Sequence, residues 1–119
     1  MNGKLIKYGL LALKILVAAA FAAAGLAKLA GAEMMVATFE AIGIGQWFRY
    51  LTGIIEVGAA LLLFVPNRQA YGAALLVCTM IGAILAHVLF LGPSAVPALV
   101  LGVLSAIILY AHRGQLLSA

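Results

Sequence analysis

The stretch Tyr50-Leu51-Thr52-Gly53-Ile54-Ile55-Glu56-Val57-Gly58-Ala59-Ala60-Leu61-Leu62-Leu63-Phe64 decides the fold. It is a greasy segment with one carboxylate, Glu56, almost at its centre. If the segment crosses a bilayer, that carboxylate lies near the midplane, where a charged side chain costs about 2.5–3.5 kcal/mol on insertion scales. Glu56 therefore requires a proton, a partner or a wet cavity.

The 119 residues are 67% hydrophobic and 8% charged. Soluble domains average about 45–50% apolar and about 25% charged residues, so the composition indicates one integral membrane domain, all-α in class. The net charge of +4 does not indicate nucleic acid, because the cations stand near the ends of apolar runs and not in a basic patch. Cys78 is the only cysteine, which excludes an internal disulfide and a Cys-x-x-Cys pair, and it reads as packing. Lys4 and Lys7 before an apolar run, with small residues from Ala18 to Ala24, imitate a secretory signal. Lys14 interrupts that run, which continues through Leu29, so a retained first helix is expected.

Four spans are expected at about 5–29, 47–65, 69–91 and 95–111. The first exceeds the roughly 30 Å hydrocarbon core at about 1.5 Å per residue, so tilt or partial emergence follows. Its second half, Ala18 to Gly25, is poor in bulk and suits close helix packing. Ala98, Gly102 and Ala106 form a similar stripe in the fourth span. Residues 32–42 read as a short interfacial or re-entrant helix with Met35, Phe39 and Ile42 on one face, ended by Gly43 and Gly45. Trp47, Phe48 and Tyr50 mark a membrane–water boundary. Pro66-Asn67-Arg68 and Gly92-Pro93-Ser94 are turns, and such short links make consecutive spans antiparallel neighbours in a bundle.

Four spans place both termini on one side. That side collects Lys4, Lys7, Arg68 and Arg113, against Lys28 and Arg49 on the other. The excess of Lys and Arg assigns both termini to the cytoplasm, with the chain in the cell (inner) membrane.

Arg49, Gly53, Glu56 and Ala60 share one helical stripe, and Gly53 leaves a dent one turn from Glu56 that a neighbour or a ligand would fill. His87 stands in the outer third of the third span, and Lys28 at the outer end of the first. The candidate ligand-binding residues are therefore Glu56, His87, Lys28, Arg49 and Gly53. They converge on a polar pocket open to the non-cytoplasmic side, which would bind a head group or move a proton. The competing reading makes Arg49 and Lys28 interfacial anchors and His87 a helix-end cap.

Sharper chemistries find little support. His87 and His112 fall near opposite faces and cannot share a metal or haem iron, and no cluster has the spacing of a zinc site. No Gly-rich nucleotide loop is present, and Ser94, Ser105 and Thr79 lack a visible base and orienter, so no catalytic residue is assigned. A small proton-coupled exporter is an alternative, because tiny four-span transporters also depend on one membrane glutamate. Theirs lies in the first span, however, where this chain carries lysines.

Phe21-x-x-x-Gly25-Leu26-x-Lys28-Leu29, Tyr50-x-x-Gly53-x-x-Glu56-Val57-x-Ala59-Ala60 and Met80-x-x-Ala83-x-x-x-His87 together resemble the DoxX-like membrane proteins over roughly residues 15 to 113. The resemblance implies a four-helix membrane protein. The family is named after a subunit associated with a thiosulfate:quinone oxidoreductase, and some relatives are linked to membrane oxidoreductase complexes. An animal relative is a receptor-assembly chaperone. The motif positions add Gly25 to the candidate site beside Lys28, Gly53, Glu56 and His87. The expectation is an accessory membrane protein, not an enzyme on its own. It would hold a quinone, a lipid or another amphiphile near Glu56, or dock on a larger membrane partner. Its expected partners are membrane lipids and a membrane protein or a second copy, with no metal and no nucleic acid. A purely structural assembly role is a further alternative.

Overall fold

The computed structural model describes residues 3–91 and 95–117, and the turn expected at Gly92-Pro93-Ser94 lies outside the described residues. The regular elements among the described residues are all helices: α1 (Gly3–Ala30), α2 (Glu33–Ile42), α3 (Gln46–Leu62), α4 (Gln69–Ala86) with a π-helical turn at His87–Leu91, α5 (Val96–Ala111) and the short α6 (Gly114–Leu117). Each boundary has a local cause. Gly31 (φ +75°) lets the chain leave α1, with the Ala32 amide donating back to the Ala27 carbonyl. Gly43 (φ 85°) closes α2 in the same left-handed conformation. Pro97 sits in the first turn of α5, where its missing amide hydrogen costs nothing.

Two helical stretches, Gly3–Ala30 and Gln69–Leu91, are long and apolar enough to cross a membrane. The sequence led us to expect four such stretches. α3 has 17 residues and α5 has 16, because the apolar run Leu63-Phe64-Val65 unwinds into the turn at Pro66 and α5 starts at Val96.

α3, α4 and α5 follow one another antiparallel. Gly72 on α4 abuts Ala59 and Leu62 on α3, and Gly102 on α5 lies against Met80 on α4. α1 packs along α3 and closes the ring against α5, where Lys14 Nζ stands 3.5 Å from His112 Nε2. The part of α1 before Lys14 therefore runs on past the end of α5, by up to about 16 Å at 1.5 Å per residue. The core is narrow, built from Val17, Phe21, Ala59, Leu63, Leu76 and Ile108. Its small residues bring the backbones close, as in helix pairs within membranes.

Much of the outside is apolar. Leu16, Ile54, Leu61, Ile81, Val88 and Val100 are all more than half or nearly half exposed, while Arg49 and Glu56 are buried. Exposed apolar area of that extent does not persist in water, and it suits contact with lipid. Cys78, expected as packing, faces outward and is exposed, because Leu76 and Met80 take the inward stripe of α4. The molecule is 46 Å long and 24 Å across.

Candidate functional site

The centre of the site is the seam between α1 and α3. Gly25 and Gly53 oppose each other so closely that a Cβ on Gly53 would lie 2.9 Å from the Gly25 carbonyl oxygen. A Cβ on Gly25 would lie 2.7 Å from Val57 Cγ2 and 2.9 Å from the Gly53 carbonyl oxygen. The dent expected beside Glu56 is thus filled by the backbone of α1. Side chains on a helix lean toward its N-terminus, and in an antiparallel pair those leanings are opposed. Lys28, one turn beyond Gly25, leans back along α1, and Glu56, one turn beyond Gly53, leans back along α3. They meet over the glycines, with Lys28 Nζ 2.7 Å from Glu56 Oε1. Their side chains are only 12% and 2% exposed, so the pair is nearly dry.

Arg49 takes a different role from the one expected. Its guanidinium donates from Nη1 to the Lys28 carbonyl, one of the last carbonyls of α1, and from Nε to Gln46 Oε1 at 2.7 Å. It lies 4.2 Å from the centre of the Tyr50 ring. A cation on the open carbonyls of a helix C-terminus complements the helix dipole, so Arg49 caps α1. Arg49 is buried, and so is not a boundary anchor in water. Gln46 in turn donates to the Val36 carbonyl at 3.1 Å, joining α2 to the same network. The sequence reading did not single out Gln46; its position one turn before Arg49 on the same face is the signal that was available.

His87 continues the inward stripe Ala73, Leu76, Met80 of α4 and begins the π-helical turn, which packs on α2. π-turns interrupt the regular ladder and recur at functional positions. His87 Nδ1 is buried with no hydrogen-bond partner among the described residues. From the contact of Gly72 with Ala59 and Leu62, the antiparallel register sets His87 level with the start of α3, about 15 Å along the axis from Glu56. The structure therefore brings Lys28, Glu56, Gly25 and Gly53 together, attaches Arg49 to them through the Lys28 carbonyl, and leaves His87 further out on the interior, beneath α2.

At the joint of α2 and α3 a groove of about 460 Å³ is lined by Val36, Phe39, Glu40, Gly43, Gly45 and Gln46. It opens one side chain away from Arg49. Phe39 and Phe48 pack edge to face beside it, with ring centres 5.8 Å apart. Among the described residues no three His, Cys, Asp or Glu side chains gather into a metal-holding group. The chemistry on offer is that of hydrogen bonding and of an amine paired with a carboxyl group.

At the opposite end of the bundle Lys14, His112, Gln115 and Gln69 form a second polar junction that the sequence did not reveal. Gln115 Nε2 donates to Gln69 Oε1 at 2.6 Å, and Gln115 Oε1 accepts from the Ala70 amide at 2.9 Å. Burial, and then the charge of Lys14, hold the His112 pKa below its ordinary value.

The family model described as the DoxX-like family matches residues 12–109, most of the chain. No curated protein and no solved structure compared with the chain matches it.

Proposed function

The chain belongs to the DoxX-like family, and on that premise we propose that it is an accessory membrane protein of four spans that holds an amphiphile by its head group. The ligand is a quinone or a lipid, and its polar end would lie on the interior axis from His87 to the Lys28–Glu56 pair. The observation that carries this reading is the buried His87 Nδ1, on the inward stripe of α4, which has no hydrogen-bond partner among the described residues. Buried polar atoms are nearly always hydrogen-bonded, so a vacant one on a polar axis supports a bound oxygen. The groove between α2 and α3 supplies an apolar entry for the tail.

In this reading α3 and α5 cross together with α1 and α4. At about 25 Å each they fall short of the hydrocarbon core by roughly one turn, a mismatch met by local thinning of the bilayer. Both termini lie on the side of Lys4, Lys7, Arg68 and Arg113, in the cytoplasm of a cell whose inner membrane holds the chain. Fusing reporters to each terminus and to the 66–68 turn tests this arrangement, and reporters on opposite sides would overturn it.

The ligand is tested by mass spectrometry of small molecules that co-purify in mild detergent, with wild type beside His87→Gln and Glu56→Gln. A quinone or a defined lipid in the wild type, reduced in both variants, is the expected result. His87→Gln is the sharper variant, because Nδ1 has no hydrogen bond to lose among the described residues. Full retention in both variants sinks the reading.

A second reading has its own support. The close seam of Gly25 and Gly53 and the ion pair over it are a sufficient clasp for two helices, so an assembly or docking subunit needs no ligand. A wild type that purifies empty favours this reading over the first.

A further inference from the structure

We propose that the end of the bundle formed by the start of α1, the α3–α4 turn and the end of α5 is a docking surface for an anionic phospholipid, with its phosphate held by Arg113 and Lys14. This site lies at the far end from His87 and does not rest on the reading above.

The first observation is charge. Lys4, Lys7, Lys14, Arg68 and Arg113 all belong to this end, whereas the three carboxylate side chains of the sequence are Glu33 and Glu40 on α2 and Glu56 on α3. Among the described residues Lys7, Arg68 and Arg113 have no ion-pair partner. The second observation is the way the arginines are held. Arg113 stacks on Tyr110 at 3.8 Å and donates from Nη1 to the Tyr110 carbonyl, and Arg68 lies 5.8 Å from the Tyr71 ring. Tyrosine under a guanidinium orders the side chain at the depth of a membrane–water boundary and leaves other N–H groups to donate.

The third observation is an excess of donors. The Lys14 ammonium stands 3.5 Å from His112 Nε2, and the Gln115 amide nitrogen 3.4 Å from His112 Nδ1. A neutral imidazole has one lone pair to give, so it satisfies one of these two donors. Gln115 Nε2 also donates to Gln69 Oε1, so the Lys14 ammonium, with three N–H groups, is the donor left with hydrogens for an outside oxygen. Finally, a groove of about 600 Å³ runs beside the junction, lined by Ala111, Arg113, Gly114 and Leu116. Apolar walls with a guanidinium at the rim fit an acyl chain below a phosphodiester. The end as a whole thus fits one partner, a lipid with a net negative head group, better than a zwitterionic one.

The test uses purified protein in mild detergent, titrated with phosphatidylglycerol, phosphatidylcholine or inorganic phosphate and followed by native mass spectrometry and thermal shift. Phosphatidylglycerol should bind and raise the melting temperature; the other two should not. Each cation removed should weaken that binding roughly fivefold, as Arg113→Gln and Lys14→Gln tested singly. The effect should shrink at high salt. Equal binding of phosphatidylcholine, the same shift from inorganic phosphate, or unchanged binding in both variants would overturn the proposal. Arg113 is exposed and its bonds are local, so its replacement leaves the bundle able to fold.

Discussion

Lys28 Nζ lies 2.7 Å from Glu56 Oε1 across the α1–α3 seam, with both side chains withdrawn from the surface. A buried ion pair costs desolvation on both sides, so its attraction does not by itself stabilise the fold relative to an apolar pair. Breaking it is another matter, because the remaining charge is left without a counter-ion. Lys28→Met alone should destabilise the bundle by about 3–5 kcal/mol, and Lys28→Met with Glu56→Leu should restore most of the loss. Unfolding in increasing sodium dodecyl sulfate measures both. A double variant no better than the single one would mean that the two residues are not coupled.

The seam itself is the second point of sensitivity. A Cβ on Gly53 would meet the Gly25 carbonyl oxygen at 2.9 Å and Leu29 Cγ at 3.0 Å, and a backbone oxygen has little room to yield. Gly53→Ala should therefore cost about 1–3 kcal/mol by overpacking. Gly58, with nothing within 4 Å of its absent Cβ, is the control on the same helix. Melting temperatures should fall for the first substitution and hold for the second.

Arg49 predicts a local loss. Its two bonds, to Gln46 and to the Lys28 carbonyl, need nitrogens set apart as in a guanidinium, which one ammonium cannot supply. Arg49→Lys should loosen the last turn of α1 and cost about 1.5–3 kcal/mol, the value of a hydrogen bond to a charged group. Hydrogen exchange at Gly31 and Ala32 should quicken in the variant. Unchanged exchange there would remove the capping role.

His112 gives a pH dependence of known sign. Its folded pKa lies below the ordinary imidazole value, so the unfolded chain takes up the proton first. The stability this contributes is complete above about pH 6.5 and is lost as pH falls through the folded value. Melting temperatures of wild type should drop between pH 8 and pH 5 more than those of His112→Gln. The same slope in both proteins would place the effect elsewhere.

The residues that shape each helix end act locally, and the sequence was enough to locate them. Gly43 and Pro66 interrupt apolar runs, and the structure ends α2 and α3 within a few residues of them. The apolar surplus likewise fixed an all-helical membrane protein, because so few charges cannot cover a surface in water. The DoxX-like motif positions were also legible, since they depend on residue spacing alone.

The identity of Glu56's partner was not settled by spacing. Arg49 shares the Glu56 stripe, yet it leans toward the N-terminus of α3, away from the carboxylate, and caps α1 instead. Lys28 is far away in sequence and reaches Glu56 because two glycines fix the register between antiparallel helices. Lys14 and His112 meet for a similar reason, at a level set by how α1 docks on α5. The sequence by itself determined which residues are too polar for their surroundings. Only the tertiary structure decided which of them meet, because contact between helices depends on register and side-chain direction, and neither is a property of one helix alone.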